Sequence, residues 1–418
     1  MSSPTAPNTA GIGIEKLRVY PTTLSLEMSA LCAARDHDLV DVRDNLMVDR
    51  RSVNPPWEDA VTMAVNAAAP MITDEDRANI ELLIVGSETS VDQEKPLSSW
   101  VHRFLDIQPH CRNFEIKHAC YSGTAGVQMA TSWLASGLCG KNAKALVINT
   151  DQSLIGLGEP YEFVFGAGAA AVLLSRQPDF LEFELGKNGV YAHEVTDVFR
   201  PTPRVETGNS ETSLYSYLEA LAGAYGRYVD VVGAVDFDAD FVKNIYHVPF
   251  GGMTFRAHKA LVQEHTSIAT KAEVRAHFER KVLPSLRFTR QIGGVYGSST
   301  FLALLGLVDA ADDLVAGDRV GIFSYGSGSC AEFYSARVGA RAKEVARAAD
   351  LQALCDARQA ISVEEYESIE RERDEGTGAR HFTPRLDRAG DWYERRYAGK
   401  RALVLQKVDD YYRHYGWS

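Results

Sequence analysis

Four short runs along the chain are apolar almost without interruption: ELLIVG (81–86), KALVINT (144–150), AAAVLLS (169–175) and RVGIFSY (319–325). A strand with apolar side chains at both odd and even positions has two faces to bury, so each run suits a sheet covered by helices on both sides. Amphipathic stretches of helix length separate them, and that alternation predicts an α/β architecture. One order then occurs twice. The small-residue helix start ACYSGTAGVQMATSWLASG (119–137) leads to ALVINTD and the glycine turn of GAGAAAVLL; VYGSSTFLALLGLVDA (295–310) leads to RVGIFSYGSGSCAEFYSARV (319–338). Helix, strand, glycine turn and strand in both halves suggest a duplicated unit divided near 176–185, with halves 11–178 and 179–418. Residues 1–10 read as a frayed tail. The charged segment 362–382 predicts a solvated helix followed by a loop. The final ALVLQKVDDYYRHYGWS is aromatic enough to dock on the body.

Length agrees with this division, since 418 residues exceed the roughly 250–300 at which one core stops growing. Hydrophobic content of 45% and charged content of 24% are ordinary for a soluble globular protein. The net charge of −12 repels nucleic acid and anionic membranes at long range. No run approaches the ~20 apolar residues of a membrane span, and the N-terminus lacks the basic and apolar regions of a signal peptide. A cytoplasmic location is expected. The cysteines (Cys32, Cys111, Cys120, Cys139, Cys330, Cys355) form no CxxC pair, so neither a disulfide framework nor a zinc site is expected. They read as small buried apolar residues unless one does chemistry.

Cys120 is the candidate. The run Ser122-Gly123-Thr124-Ala125 after it is too small for a core face and lets a backbone or substrate come close. A helix starting here places Cys120 at its N-terminal end, where the dipole and free N–H groups favour thiolate and hold an oxyanion; a buried structural cysteine is the competing reading. Glu88 directly follows the strand ELLIVG, at the end where α/β sheets place ligands, though a rim carboxylate or helix cap fits as well. Partial desolvation there raises its pKa toward the range useful for removing a carbon-bound proton. His247, in IYHVPFGGMTF, precedes a glycine pair that suits a loop against a ligand, or is a packed loop residue. SYGSGSC (324–330) is neither a phosphate-binding P-loop nor a GxSxG elbow. It reads as a tight turn that can aim amides at a ligand.

Taken in order, these motifs resemble the 3-hydroxy-3-methylglutaryl-CoA synthases of the thiolase superfamily, from about residue 11 to the C-terminus. VGSETSVDQEK resembles the family's glutamate motif, ACYSGTAG its acylated-cysteine motif and HVPFGGM its histidine motif. The resemblance implies Glu88 as general base, Cys120 as acyl carrier, and His247 as the group that polarises or protonates the acceptor ketone. It also implies substrate-side roles for Asp151, Ser213 and Ser327. The implied fold is thiolase-like, five-layered αβαβα with two related halves, usually a homodimer. The implied reaction adds an acetyl carbon to a β-ketone, after which water releases the product. No cofactor is expected on the chain; the substrates are phosphopantetheine thioesters on acyl carrier protein or CoA.

Departures from the family pattern narrow this. Gly294 stands where an acceptor-side asparagine is expected. Gly252 replaces a CoA-contacting lysine, with Arg256 keeping positive charge one turn on. The loop GLGEPYEFVFGAGA lacks the asparagine and threonine of CoA-using relatives. FRPTPRVETGNSETSLYSYLEAL resembles the polyketide β-branching synthases, whose substrates are tethered to acyl carrier proteins. Donor and acceptor carriers are thus the expected partners, with an acetyl donor and propionyl as the alternative. Carriers are acidic, so a local cationic rim is required, with Arg256, His258 and Lys259 as candidates. Two other readings stand beside this one: a ketosynthase III-like condensing or transfer enzyme, which needs no Glu88, and a non-catalytic carrier-binding scaffold.

Overall fold

The computed structural model describes residues 11–154, 156–386 and 392–418; the tail 1–10 lies outside them. Nine strands form one connected sheet, in the spatial order Lys243–Tyr246, Arg319–Gly326, Cys330–Val338, Leu181–Ala192, Gly13–Tyr20, Ala167–Ser175, Lys144–Gln152, Ile80–Gly86 and Arg112–Ile116. All four apolar runs are among them. The sheet consists of a group of four and a group of five strands. Only two residue pairs, Gly13 with Glu182 and Ile14 with Leu181, join the groups.

Side-chain alternation shows how the layers stack. Ile84, Val147 and Val172 face one core together with Val127, Leu302, Ile322 and Tyr334, whereas Leu83, Leu146 and Leu173 face another with Val61, Val65 and Val101. The helices Ser122–Ser136 and Ser299–Ala310 therefore lie between the two strand groups. Helix Ala60–Ala68 covers the outer face of the five strands, and helix Ser210–Val232 covers the outer face of the four. The stack is helix, sheet, helix, sheet, helix, which explains why the four runs are apolar almost throughout.

The repeated order holds as well. Each middle helix leads to a strand that pairs antiparallel with the next: Lys144–Gln152 with Ala167–Ser175, and Arg319–Gly326 with Cys330–Val338. The charged segment forms the helix Val363–Gly376, started by a capping box between Ser362 and Glu365. The C-terminal stretch is a docked hairpin of Leu403–Asp409 and Tyr412–Trp417, with Leu403 fully buried and Tyr415 edge-on to Trp100 and Phe104.

Candidate active site

Cys120 lies in a tight turn where the Tyr121 amide bonds the His118 carbonyl (3.0 Å), two residues before the helix begins at Ser122. The small-residue run does not face a ligand. Ser122, Gly123 and Thr124 are buried. A β-carbon on Gly123 would stand 2.9 Å from both Asn149 Oδ1 and the Phe301 ring. Thr124 Oγ1 bonds Ser324 Oγ at 2.8 Å. The run is small because a helix is wedged between the two strand groups there, which corrects the expectation that it is too small for a core face.

Cys120 Sγ donates to Glu88 Oε1 at 3.5 Å. Glu88 follows the strand Ile80–Gly86, and its loop is fastened by Asp151. Asp151 Oδ1 accepts from the Glu88 amide (2.9 Å), Thr89 Oγ1 (3.0 Å) and Ser87 Oγ (3.1 Å), while its Oδ2 accepts from Asn149 Nδ2 (2.8 Å). Asp151 has no exposed surface. It holds the glutamate loop, with both of its oxygens bonded inside the protein.

Electrostatics reverse the sequence expectation for the thiol. Burial, then the carboxylates of Glu88 and Asp151, push the Cys120 thiol well above its ordinary pKa. These effects outweigh the helix start. Burial likewise pushes Glu88 up to about 8, helped by Asp151 and Glu206 and opposed by Arg200. Burial raises Asp151 to about 6. A carboxyl of this kind holds its proton near neutrality and is a strong base once ionised.

Arg200 and Glu206 were not singled out from sequence. They sit on the hairpin of Val198–Thr202 with Val205–Gly208 and form an ion pair, both largely buried. Arg200 Nη1 also donates to the Glu88 carbonyl oxygen at 2.9 Å. The only sequence signal was an Arg and a Glu on either side of the turn TPRV. Tyr296, stacked on Phe165 at 4.8 Å, is in electrostatic contact with the same group of charges.

His247 follows the strand Lys243–Tyr246 and is 1% exposed, with its amide bonded to the Phe323 carbonyl and its own carbonyl accepting from Tyr217. Its Nδ1 is buried without a partner, and burial drives its pKa down to about 3, so the ring is neutral. Tyr217 packs on Tyr325 at 5.2 Å, and Tyr325 is in electrostatic contact with Cys120. The Tyr325 hydroxyl bonds Asp197 Oδ2 (2.8 Å) and Ser216 Oγ (3.1 Å). Ser213 lies one turn before Ser216 and half-buried on the first turn of its helix. Ser327 follows Gly326, whose α-carbon packs so closely on the cysteine turn that a β-carbon would be 2.6 Å from the Tyr121 amide. Asp197 Oδ1 holds the next amide of that turn, Gly328 (3.0 Å).

Arg256 and Lys259 are exposed on the helix Gly251–His265 and make no ion pair among the described residues. His258, between them in sequence, is fully buried. It bonds Tyr246 (2.9 Å) and His277 (2.7 Å), and His277 bonds Asp238 (2.9 Å). It is therefore no part of a surface rim. The two glycine departures have one cause. A β-carbon at Gly252 would stand 1.8 Å from the Asn45 carbonyl oxygen, and one at Gly294 would stand 2.3 Å from the Pro249 carbonyl oxygen. Backbone occupies the space where the lysine and asparagine side chains would start.

Residues 253–416 match the family model of the hydroxymethylglutaryl-coenzyme A synthase C-terminal region. The chain is 34% identical to the polyketide biosynthesis 3-hydroxy-3-methylglutaryl-ACP synthase PksG of Bacillus subtilis, over 97% of this chain and 99% of that protein. Among solved structures, the curacin biosynthetic pathway HMG synthase in complex with holo donor-ACP superposes with a TM-score of 0.93 at 38% identity, covering 97% of this chain and 100% of that one. MvaS in complex with 3-hydroxy-3-methylglutaryl coenzyme A superposes at 0.86 with 33% identity, covering 97% and 99%.

Proposed function

The chain belongs to the hydroxymethylglutaryl-CoA synthase family, with its thiolase-like fold and carbon–carbon bond-forming chemistry, and on that premise we propose that it condenses an acetyl group with the β-ketone of a β-ketoacyl thioester held on an acyl carrier protein, as in polyketide β-branching. The observation that carries the chemistry is the contact of Cys120 Sγ with a Glu88 carboxyl whose pKa is about 8.

Cys120 sulfur attacks the acetyl thioester with ionised Glu88 as the nearest acceptor for its proton, and Glu88 passes that proton to the departing carrier thiolate, which leaves as the thiol and returns Glu88 to the carboxylate form. Glu88 carboxylate then removes a proton from the acetyl methyl. The resulting enolate carbon attacks the ketone of the second thioester. His247, neutral, stabilises the new alkoxide by donating a hydrogen bond, and the proton held by Glu88 is available to return to that oxygen. Water finally cleaves the Cys120 thioester, leaving a free carboxylate on a 3-hydroxy-3-methylglutaryl-type product. Ser213 and Ser327 are proposed to line the substrate side, and Asp151 to position Glu88.

The carrier reading rests on the likeness to PksG, an ACP synthase, and to the curacin synthase bound to its donor ACP, and on Gly252, where packing against Asn45 excludes the side chain of a CoA-contacting lysine. Arg256 and Lys259, exposed and unpaired, are the proposed cationic rim for an acidic carrier. Acetylation of Cys120 is expected to be at least about tenfold faster from acetyl-carrier than from acetyl-CoA at equal concentration. Arg256→Glu with Lys259→Glu should slow the carrier reaction alone. Equal donor rates in the native enzyme would remove the carrier assignment.

Base catalysis by Glu88 also has a pH signature. The base form accumulates as pH rises through about 8, so condensation is expected to rise across the same range. Glu206→Gln removes a charge that raises the Glu88 pKa, and should shift the rise to lower pH. Arg200→Gln removes one that lowers it, and should shift the rise upward. Unmoved midpoints in both variants would exclude the hairpin from tuning Glu88.

A homodimer is proposed at the outermost strand, Arg112–Ile116, which leads into the cysteine turn and has one edge unpaired among the described residues. No helix among the described residues is long and apolar enough to cross a membrane; a cytoplasmic site of action is part of the same proposal.

A further inference from the structure

A cleft of about 220 Å³ opens where the C-terminal segment around 396–402 passes over the strand Gly13–Tyr20 and the short helix Leu351–Asp356. Five cationic side chains line it (Arg18, Arg358, Arg396, Lys400 and Arg401), and among the described residues no Asp or Glu does. In a chain with 56 acidic and 44 basic residues, such a lining runs against the overall charge.

The cations in it form no direct ion pair among the described residues, although Asp350 acts through space on Arg18, and Glu27 and Asp356 on Arg358. Arg18 makes a single hydrogen bond, from Nη1 to the Ala349 carbonyl oxygen (3.1 Å). Its Nε is shut off from water with no partner, and Asp350 acts on it only through space. Arg358, 8% exposed, donates to the Cys355 carbonyl (3.1 Å), Ser52 Oγ (2.9 Å) and the Gln291 carbonyl (2.8 Å), all neutral acceptors. Arg396, Lys400 and Arg401 form no side-chain ion pair among the described residues. Other enclosed arginines are paired with carboxylates, as Arg413 with Asp59 (2.8 Å) and Arg35 with Glu162 (2.9 Å), whereas Arg51 bonds the Glu162 carbonyl and the Tyr366 hydroxyl. A desolvated guanidinium with no carboxylate bonded to it is costly, so a cavity of this composition favours an anion from outside.

We propose that this cleft is a binding site for a compact phosphorylated anion of the diphosphate class. Planar guanidinium forks match phosphoryl oxygens in pairs, and five cations call for a ligand with more than one negative charge. The volume lies below the roughly 300–1,000 Å³ of pockets for drug-sized ligands, which favours a compact anion over an extended acidic peptide. The cleft shares no residue with the Glu88–Cys120 site. Three of its five cations come from the segment 396–401, so the bound anion ties that segment to the body of the protein.

Pyrophosphate is the probe, added to the full chain at constant ionic strength and followed by titration calorimetry and thermal unfolding. One site per chain is expected, with a rise in Tm exceeding that from sulfate. Lys400→Gln with Arg401→Gln, both exposed positions, should weaken binding at least tenfold and leave Cys120 acetylation unchanged; Arg18→Gln tests the floor of the cleft. No saturable binding would overturn the proposal, as would binding undiminished in the Lys400/Arg401 variant or sulfate acting equally well.

Discussion

Cys120→Ala is expected to carry no acyl group after incubation with acetyl-carrier and to lose turnover by at least about 10⁴-fold, the order seen when acyl-transfer enzymes lose their covalent nucleophile. The native enzyme should gain one acetyl mass by intact-protein mass spectrometry, placed on Cys120 by peptide mapping. The size of the effect follows from the site's composition. Among the cysteines, Cys120 is the one whose sulfur bonds the Glu88 carboxyl. Its thiol is held protonated by burial and by three surrounding carboxylates, so nonspecific alkylation at neutral pH should be slow while reaction with the bound thioester is fast. An adduct persisting in Cys120→Ala would assign the acyl group elsewhere. A native enzyme that takes no acetyl from carrier or CoA would support the non-catalytic scaffold.

Glu88→Ala is expected to separate the two halves of the reaction. Acetylation of Cys120 should survive, because the variant loses both a proton acceptor and one of the charges that keep the thiol protonated, and the two losses oppose each other. Condensation should fall by about 10²–10⁴-fold, the usual contribution of a positioned general base. Glu88→Gln keeps the side chain's size and a hydrogen-bonding oxygen but cannot take the methyl proton, so it should show the same division. Product formation from acetylated Glu88→Ala at the native rate would favour the ketosynthase III-like reading, in which no glutamate is needed.

Other expectations depended on how far a residue's role follows from its neighbours in sequence. The strand Ile80–Gly86 could be read directly because burying both of its faces demands apolar residues at every position. Glu88 could be placed at the strand's end for the same reason, and the turn before the helix Ser122–Ser136 located Cys120. The motif order from Glu88 through His247 to the SYGSGS turn was enough to find the family. His258 shows the limit: beside Arg256 and Lys259 it reads as a surface cation, yet helical periodicity turns it inward onto Tyr246 and His277.

The sequence by itself thus determined the α/β class, the repeated helix–strand–turn order and which residues are proposed as nucleophile and base. These depend on local pattern and residue chemistry. Only the tertiary structure decided the protonation of the site. The charges that act on Cys120 come from Glu88, Asp151 and Glu206, 32, 31 and 86 positions away in the chain, and their effect depends on the low dielectric made by packing two sheets around one helix. The same holds for Gly252 and Gly294, whose missing side chains are explained by the backbone of Asn45 and Pro249. Cys120 remains the centre of the site, but its thiol is held protonated there, against what the helix start alone would favour.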